Sequence, residues 1–225
     1  MNNCITTGEF DNEKETMIDD LYEKAALLRA AQPLILTEAD AGDTLLISVD
    51  VNNGFAVSGA LCCEEATRLI TPTAMLFARA KQMGFETLAF CDRHTDASPE
   101  LDTFPDHCLV ESGEDTIPAG LARHVDRVIY KNSTNGFLAA PHDVDWIRYR
   151  RVVVTGCLTE LCVFQLATTL RAYYNEHDCA GREIVVPLNL IDTYDAPTHS
   201  ALLHNIIYAV GMAEAGVHLV SELVL

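Results

Sequence analysis

Gly156-Cys157-Leu158-Thr159-Glu160-Leu161-Cys162-Val163 follows directly on the apolar run Arg151-Val152-Val153-Val154-Thr155. A β-branched run that stops at glycine and leads into a helix-like segment predicts a buried strand, a tight turn and a helix start. Cys162 then falls in the first turn of that helix, at the carboxyl end of a strand. Free backbone N–H groups and the positive end of the helix dipole favour a thiolate there. Two more residues share this address: Asp50 ends the run Thr44-Leu45-Leu46-Ile47-Ser48-Val49, and Lys131 ends Arg127-Val128-Ile129-Tyr130. Taken singly, an acid after a strand is commonly a turn residue, and a helical cysteine is commonly a small buried hydrophobe. Groups at carboxyl strand ends nevertheless converge on one crevice in an open α/β sheet. Together the three supply a nucleophile, a carboxylate to move protons and a cation to favour the thiolate.

A second constellation follows the run Phe85–Cys91. It comprises Asp92-Arg93-His94, then Glu100, then Phe104-Pro105-Asp106-His107-Cys108. Asp-x-His puts two ligand-capable side chains on one side of an extended segment. His107 returns from the far end of the loop, with Asp96 and Glu100 between. Two imidazoles with one or two carboxylates suit zinc, iron or manganese, not a calcium cage. The same residues also suit a polar loop held by its own hydrogen bonds.

These groups need a scaffold, and the chain predicts one. Strand-length apolar runs at 44–50, 85–91, 127–131, 151–155, 183–186 and 217–220 alternate with helix-length segments. That alternation indicates an α/β, mostly parallel sheet with helices on both faces. Residues 1–10 read as loose, and Asp11–Ala31 as a charged helix with one apolar stripe through Met17, Ile18, Leu21, Ala25 and Leu28. Thr71-Pro72 resembles an N-cap followed by proline at the first helical position, for a helix ending near Gly84. Further helices are expected over about Thr159–Glu176 and after Pro197.

The 225 residues fit one sizeable domain. The expected division is an N-terminal extension with a helix over 1–40 and the main domain over 41–225. A formal net charge of −18, from 33 acidic and 15 basic residues, repels phosphate backbones and anionic lipid. Nucleic-acid and membrane partners are therefore not expected. No run approaches the roughly 20 apolar residues that span a bilayer. Met1-Asn2-Asn3-Cys4 lacks the basic start of a signal peptide. The eight cysteines are scattered and contain no CxxC pair, so reduced thiols in a cytoplasmic protein are expected.

The motifs together resemble the isochorismatase-like cysteine hydrolases, and within them the nicotinamidases. Asp50-Val51-Asn52-Asn53-Gly54-Phe55 is similar to the family's D-x-Q-N-D-F segment. Asp92-Arg93-His94 and Phe104-Pro105-Asp106-His107-Cys108 resemble its D-x-H and F/W-P-x-H-C metal loop. Tyr130-Lys131 with Asn135-Gly136-Phe137 resembles Y-K…S-G-F, and Gly156–Val163 resembles G-x-x-T-D-x-C-V. The matches run in family order over roughly residues 44–220. Asn52, Gly54 and Glu160 depart from the pattern, where Gln, Asp and Asp are usual.

The resemblance implies an Asp50–Lys131–Cys162 triad and one divalent metal ion on Asp92, His94, Glu100 and His107. It also implies a cis peptide between Leu158 and Thr159 that aims the Leu158 and Cys162 N–H groups at an oxyanion. Phe55, Phe104 and Phe137 would then wall a pocket for a flat ring, or else pack in the core. The implied activity is hydrolysis of nicotinamide to nicotinate and ammonia through a cysteine thioester, in a protein that is monomeric or a homo-oligomer. Three other functions compete: a cousin acting on an N-carbamoyl or ureido compound, a binding protein without turnover, and a redox thiol protein.

Overall fold

The structure, a computed structural model, describes residues 7–140 and 144–225. Residues 1–6, including Cys4, therefore lie outside it. The strands are β1 (Leu34–Ile35), β2 (Thr44–Val49), β3 (Glu86–Asp92), β4 (Arg127–Lys131), β5 (Arg151–Gly156), β6 (Glu183–Pro187), β7 (His218–Val220) and β8 (Leu223–Val224). The helices are α1 (Thr7–Arg29), α2 (Asn53–Ala56), α3 (Glu64–Gln82), α4 (Ala119–Ala122), α5 (Gly136–Ala139), α6 (Phe164–Glu176) and α7 (Ala201–Glu214).

Six strands form one sheet in the order β4-β3-β2-β5-β6-β7, every neighbouring pair parallel. The α/β expectation is met. All six residues of β2 are buried, as a strand covered on both faces requires. Alternate side chains go to opposite faces. Leu45, Ile47, Val49, Val152 and Val154 pack with Leu166 and Leu170 of α6. Leu46, Val153 and Val185 pack with Leu69, Leu76 and Phe77 of α3.

The strand order reverses direction between β2 and β5, which opens a crevice at their carboxyl ends. Gly156 ends β5 with φ +119, and a Cβ there would lie 1.9 Å from Val49 O. Only glycine lets the two strands stay this close while the chain turns toward Cys162.

Three helix boundaries differ from expectation. Helix α1 already begins at Thr7, so residues 7–10 are not loose. Helix α3 starts at Glu64 after Cys63, and Pro72 lies inside it. Its buried stripe Ala66, Leu69, Thr73, Leu76, Phe77 and Ala80 outweighs the one backbone hydrogen bond that proline removes. The segment expected as one helix from Thr159 opens with a wide π-type turn, Thr159–Val163, before α6. In that turn Val163 N–H reaches Leu158 O, five residues back, at 3.2 Å. Beyond the predicted elements, β1 and β8 pair in parallel as a small separate sheet.

Candidate active site

Asp50 leaves β2 with φ +52, an uncommon conformation for a residue with a side chain. Its N–H donates to Phe90 O at 3.0 Å, and its Oδ1 accepts from Asp92 N at 3.1 Å. The carboxylate is thereby turned back over the end of β3. Asp92 and Lys131 are register partners in β3 and β4, so their side chains leave the sheet together. Lys131 Nζ lies 2.8 Å from Asp50 Oδ2 and 3.6 Å from Cys162 Sγ, and it also donates to Asp92 Oδ1. The fractional exposures of Asp50, Lys131 and Cys162 are 1%, 1% and 6%. An ammonium so deep is tolerated only because anions surround it.

These charges set one another. Burial pushes the Asp50 carboxyl up, and the Asp92 charge pushes it further, to about 7, against the pull of Lys131. Burial would lower Lys131, but Asp50 and Asp92 outweigh it and hold the ammonium well above its ordinary value. Burial also raises the Cys162 thiol well above the usual range, and Lys131 offsets this only in part. A resting thiolate was the expectation from the helix start. Burial reverses it, and the sulfur carries its proton until a base removes it.

The turn that presents Cys162 differs in one detail from expectation. The cis peptide is Cys157–Leu158, not Leu158–Thr159. Cys157 is still held to β2 by its N–H to Val49 O (3.0 Å) and its Sγ to Asp50 O (3.2 Å). Leu158 O already accepts the Leu161 and Val163 N–H groups, and Thr159 N–H donates to Asp192 O at 3.1 Å. Among the described residues, no protein acceptor takes the Leu158 N–H.

Asp92, His94, Glu100 and His107 converge beside this centre, with one ligand atom of each within 4.8 Å of the others. The loop closes because His94 N–H donates to Cys108 O and Val110 N–H to His94 O, both at 3.0 Å. This brings the His94 and His107 rings to 4.6 Å between centroids. His107 Nδ1 faces Pro105 O at 2.7 Å, which fixes the proton there and leaves Nε2 bare. His94 Nδ1 is held by Asn132 Oδ1 at 3.0 Å, and its buried Nε2 has no hydrogen-bond partner among the described residues. That Nε2 lies 3.6 Å from Asp92 Oδ2 and 4.0 Å from Glu100 Oε1. Such spacings are too long for hydrogen bonds and suit ligands sharing an ion at about 2.0–2.2 Å. The two-nitrogen, two-carboxylate set fits zinc, iron or manganese. Asp50, Asp92 and Cys162 also cluster, but there the Lys131 ammonium already supplies the positive charge.

A cavity of about 510 Å³ opens over both groups, lined by Asp50, Asp92, Glu100, His107, Leu158 and Cys162 among others. Phe55 and Phe104 also line it, and their rings lie 5.6 and 6.1 Å from that of His107. Phe137 does not line it. The Asn135 side chain caps α5 by accepting Phe137 N–H at 3.1 Å, and the ring packs against Trp146 and Tyr173. Asn52 and Gly54 also lie off the cavity. A Cβ on Gly54 would come within 2.4 Å of Cys108 Sγ and 3.1 Å of Glu114 Cβ. Glu114 fills that space, accepting Cys108 N–H through Oε2 at 2.9 Å and Gly54 N–H through its backbone carbonyl at 2.9 Å.

Several lining residues escaped the sequence reading: Cys62, Cys63, Thr134, Tyr194, His199 and Tyr208. None belongs to a spaced motif, and only the fold brings them to the crevice.

Solved structures resemble this one at low sequence identity. PnC1 from L. infantum in complex with nicotinate is 24% identical with TM-score 0.67, covering 85% of this chain and 99% of that one. Pyrazinamidase of Pyrococcus horikoshii in complex with zinc is 20% identical with TM-score 0.60, covering 79% and 98%. N-carbamoylsarcosine amidase from Thermoplasma acidophilum is 18% identical with TM-score 0.63, covering 79% and 95%. No curated protein matches the sequence. The isochorismatase domain model, however, matches residues 44–214, a span that contains both groups of converging side chains. The chain belongs to the isochorismatase family.

Proposed function

We propose that this family hydrolase cleaves a small aromatic carboxamide, nicotinamide foremost, to the acid and ammonia. The reading is carried by one observation: a buried thiol and carboxyl that line the cavity meet one ammonium beneath it, at 3.6 and 2.8 Å. Cys162 Sγ attacks the amide carbon as its proton passes to Asp50, whose raised affinity for protons suits a base at neutral pH. Lys131 holds Asp50 in place and stabilises negative charge on the sulfur. The Leu158 and Cys162 N–H groups face the developing oxyanion, a contact worth roughly 2.7–4 kcal/mol per donor. Asp50 then protonates the departing ammonia, leaving a Cys162 thioester, and takes a proton from the water that hydrolyses it.

Asp92, His94, Glu100 and His107 would hold one divalent metal ion. When bound, it would supply a Lewis acid for a ring nitrogen and so orient the substrate. Phe55 and Phe104 border the same space and suit a flat ring.

A complete ligand set favours this substrate class over N-carbamoyl or ureido compounds, although an N-carbamoylsarcosine amidase shares the fold. The deciding experiment is ammonia release from nicotinamide, pyrazinamide and an N-carbamoyl amide by wild type and Cys162→Ala. Wild type should prefer the first two, and the variant should release none. Equal release by the variant would refute the role of Cys162.

A further inference from the structure

The cavity continues past the cysteine to a wall that amide hydrolysis leaves unused. Glu160, Tyr194, His199, His204 and Tyr208 all line it. The Glu160 side chain is only 7% exposed. Its Oε1 accepts from Thr193 Oγ1 at 2.7 Å and faces His199 Nε2 at 3.1 Å. Its Oε2 is buried with no hydrogen-bond partner among the described residues. A buried carboxylate oxygen left bare is costly, and it marks a place where a donor is missing.

The partner histidine is locked. His199 Nδ1 faces Tyr194 O at 2.9 Å, and a carbonyl only accepts, so that nitrogen carries a proton. Nε2 faces Glu160 Oε1, so both ring nitrogens are engaged and neither is free to serve Oε2. The ring is sandwiched between Tyr194 (3.8 Å, 12°) and His204 (3.6 Å, 14°). An anion would meet the carboxylate, and its bare oxygen calls for an N–H donor.

We propose that this wall is a second recognition subsite, in which Glu160 Oε2 accepts a hydrogen bond from an N–H group that the substrate carries away from its scissile amide. The substrate class narrows to aromatic amides bearing an amino or ureido N–H, in a cavity roomier than a bare ring amide fills. This inference rests on the amidase reading.

The test compares ring-methylamino and ring-methoxy nicotinamides, similar in size, of which only the first donates. With wild type, KM for the methylamino regioisomer that reaches the wall should be at least tenfold lower, the scale of one hydrogen bond to a charged group. In Glu160→Gln the amide oxygen stays with Thr193 and His199, which places NH2 where Oε2 was. The tenfold preference should then collapse to within twofold. No preference in wild type at any regioisomer, or an unchanged preference in the variant, would overturn the proposal. Should the variant fail to fold, the wild-type pair decides alone. Should wild type turn over no nicotinamide, the amidase reading fails. Calorimetric binding of the same pair to wild type then judges the subsite by the same tenfold criterion.

Discussion

Replacing Lys131 by methionine probes the centre most directly, because its ammonium touches Asp50, Asp92 and Cys162 at once. The substitution keeps most of the length of the side chain and removes the charge with its donors. At 3.6 Å from Cys162 Sγ and an effective dielectric constant of about 20, the lost attraction for a thiolate is about 5 kcal/mol. Water entering the site will relax part of this, so a drop of at least a hundredfold in Cys162 alkylation is expected. Stability should fall too. Asp50 and Asp92 would face each other without the cation between them, and removing one partner of a buried ion pair costs about 3–5 kcal/mol.

Because Asp50 holds its proton up to about pH 7, the stability loss should be smaller at pH 6 than at pH 8. The sign follows from linkage. A carboxyl raised above its unfolded value binds its proton more tightly when folded, and that advantage is lost as pH rises through the folded value. The assay is iodoacetamide labelling read by mass spectrometry on the peptide containing Cys162, since Cys62, Cys63 and Cys179 are partly exposed. Urea melts at both pH values would accompany it. Labelling within threefold of wild type in a folded variant would refute the electrostatic account.

Other outcomes are expected elsewhere. Chelation, or His107→Ala, should abolish turnover while leaving Cys162 labelling unchanged, checked by metal analysis and the same alkylation assay; lost labelling would tie the metal to the nucleophile instead. Gly54→Asp restores the usual family residue but meets Cys108 Sγ and Glu114. It should destabilise by about 1–3 kcal/mol in a thermal melt. Asp126 accepts from Thr87 N and Oγ1 at 3.0 and 2.8 Å and pairs with Lys81. Burial pulls its carboxyl up, but Lys81 and Thr87 outweigh this and hold it below the ordinary value. A depressed carboxyl stabilises above its unfolded value, so Asp126→Asn should cost about 0.5–1.5 kcal/mol near neutrality. That cost should shrink as pH falls through the folded value, as urea melts can follow.

Period and spacing are legible along the chain. Mostly apolar runs such as Leu45–Val49, broken only by Ser48, and Val152–Val154 specify strands covered on both faces, and their alternation with helices specifies a parallel sheet. That sheet leaves Asp50, Lys131 and Cys162 at its carboxyl edge. Asp92 and His94, two of the proposed metal ligands, were legible for a similar reason, since residues two apart on an extended segment share a side. What tertiary structure decided was environment. The depth of Cys162 outweighed the helix start, a buried stripe carried α3 through Pro72, and packing on Trp146 turned Phe137 into the core. Glu114 came to fill the space beside Gly54, and Glu160, Tyr194 and His199 met as one wall from distant segments. Side-chain periodicity is local and survives in one dimension, whereas desolvation and packing depend on neighbours that only the folded chain assembles.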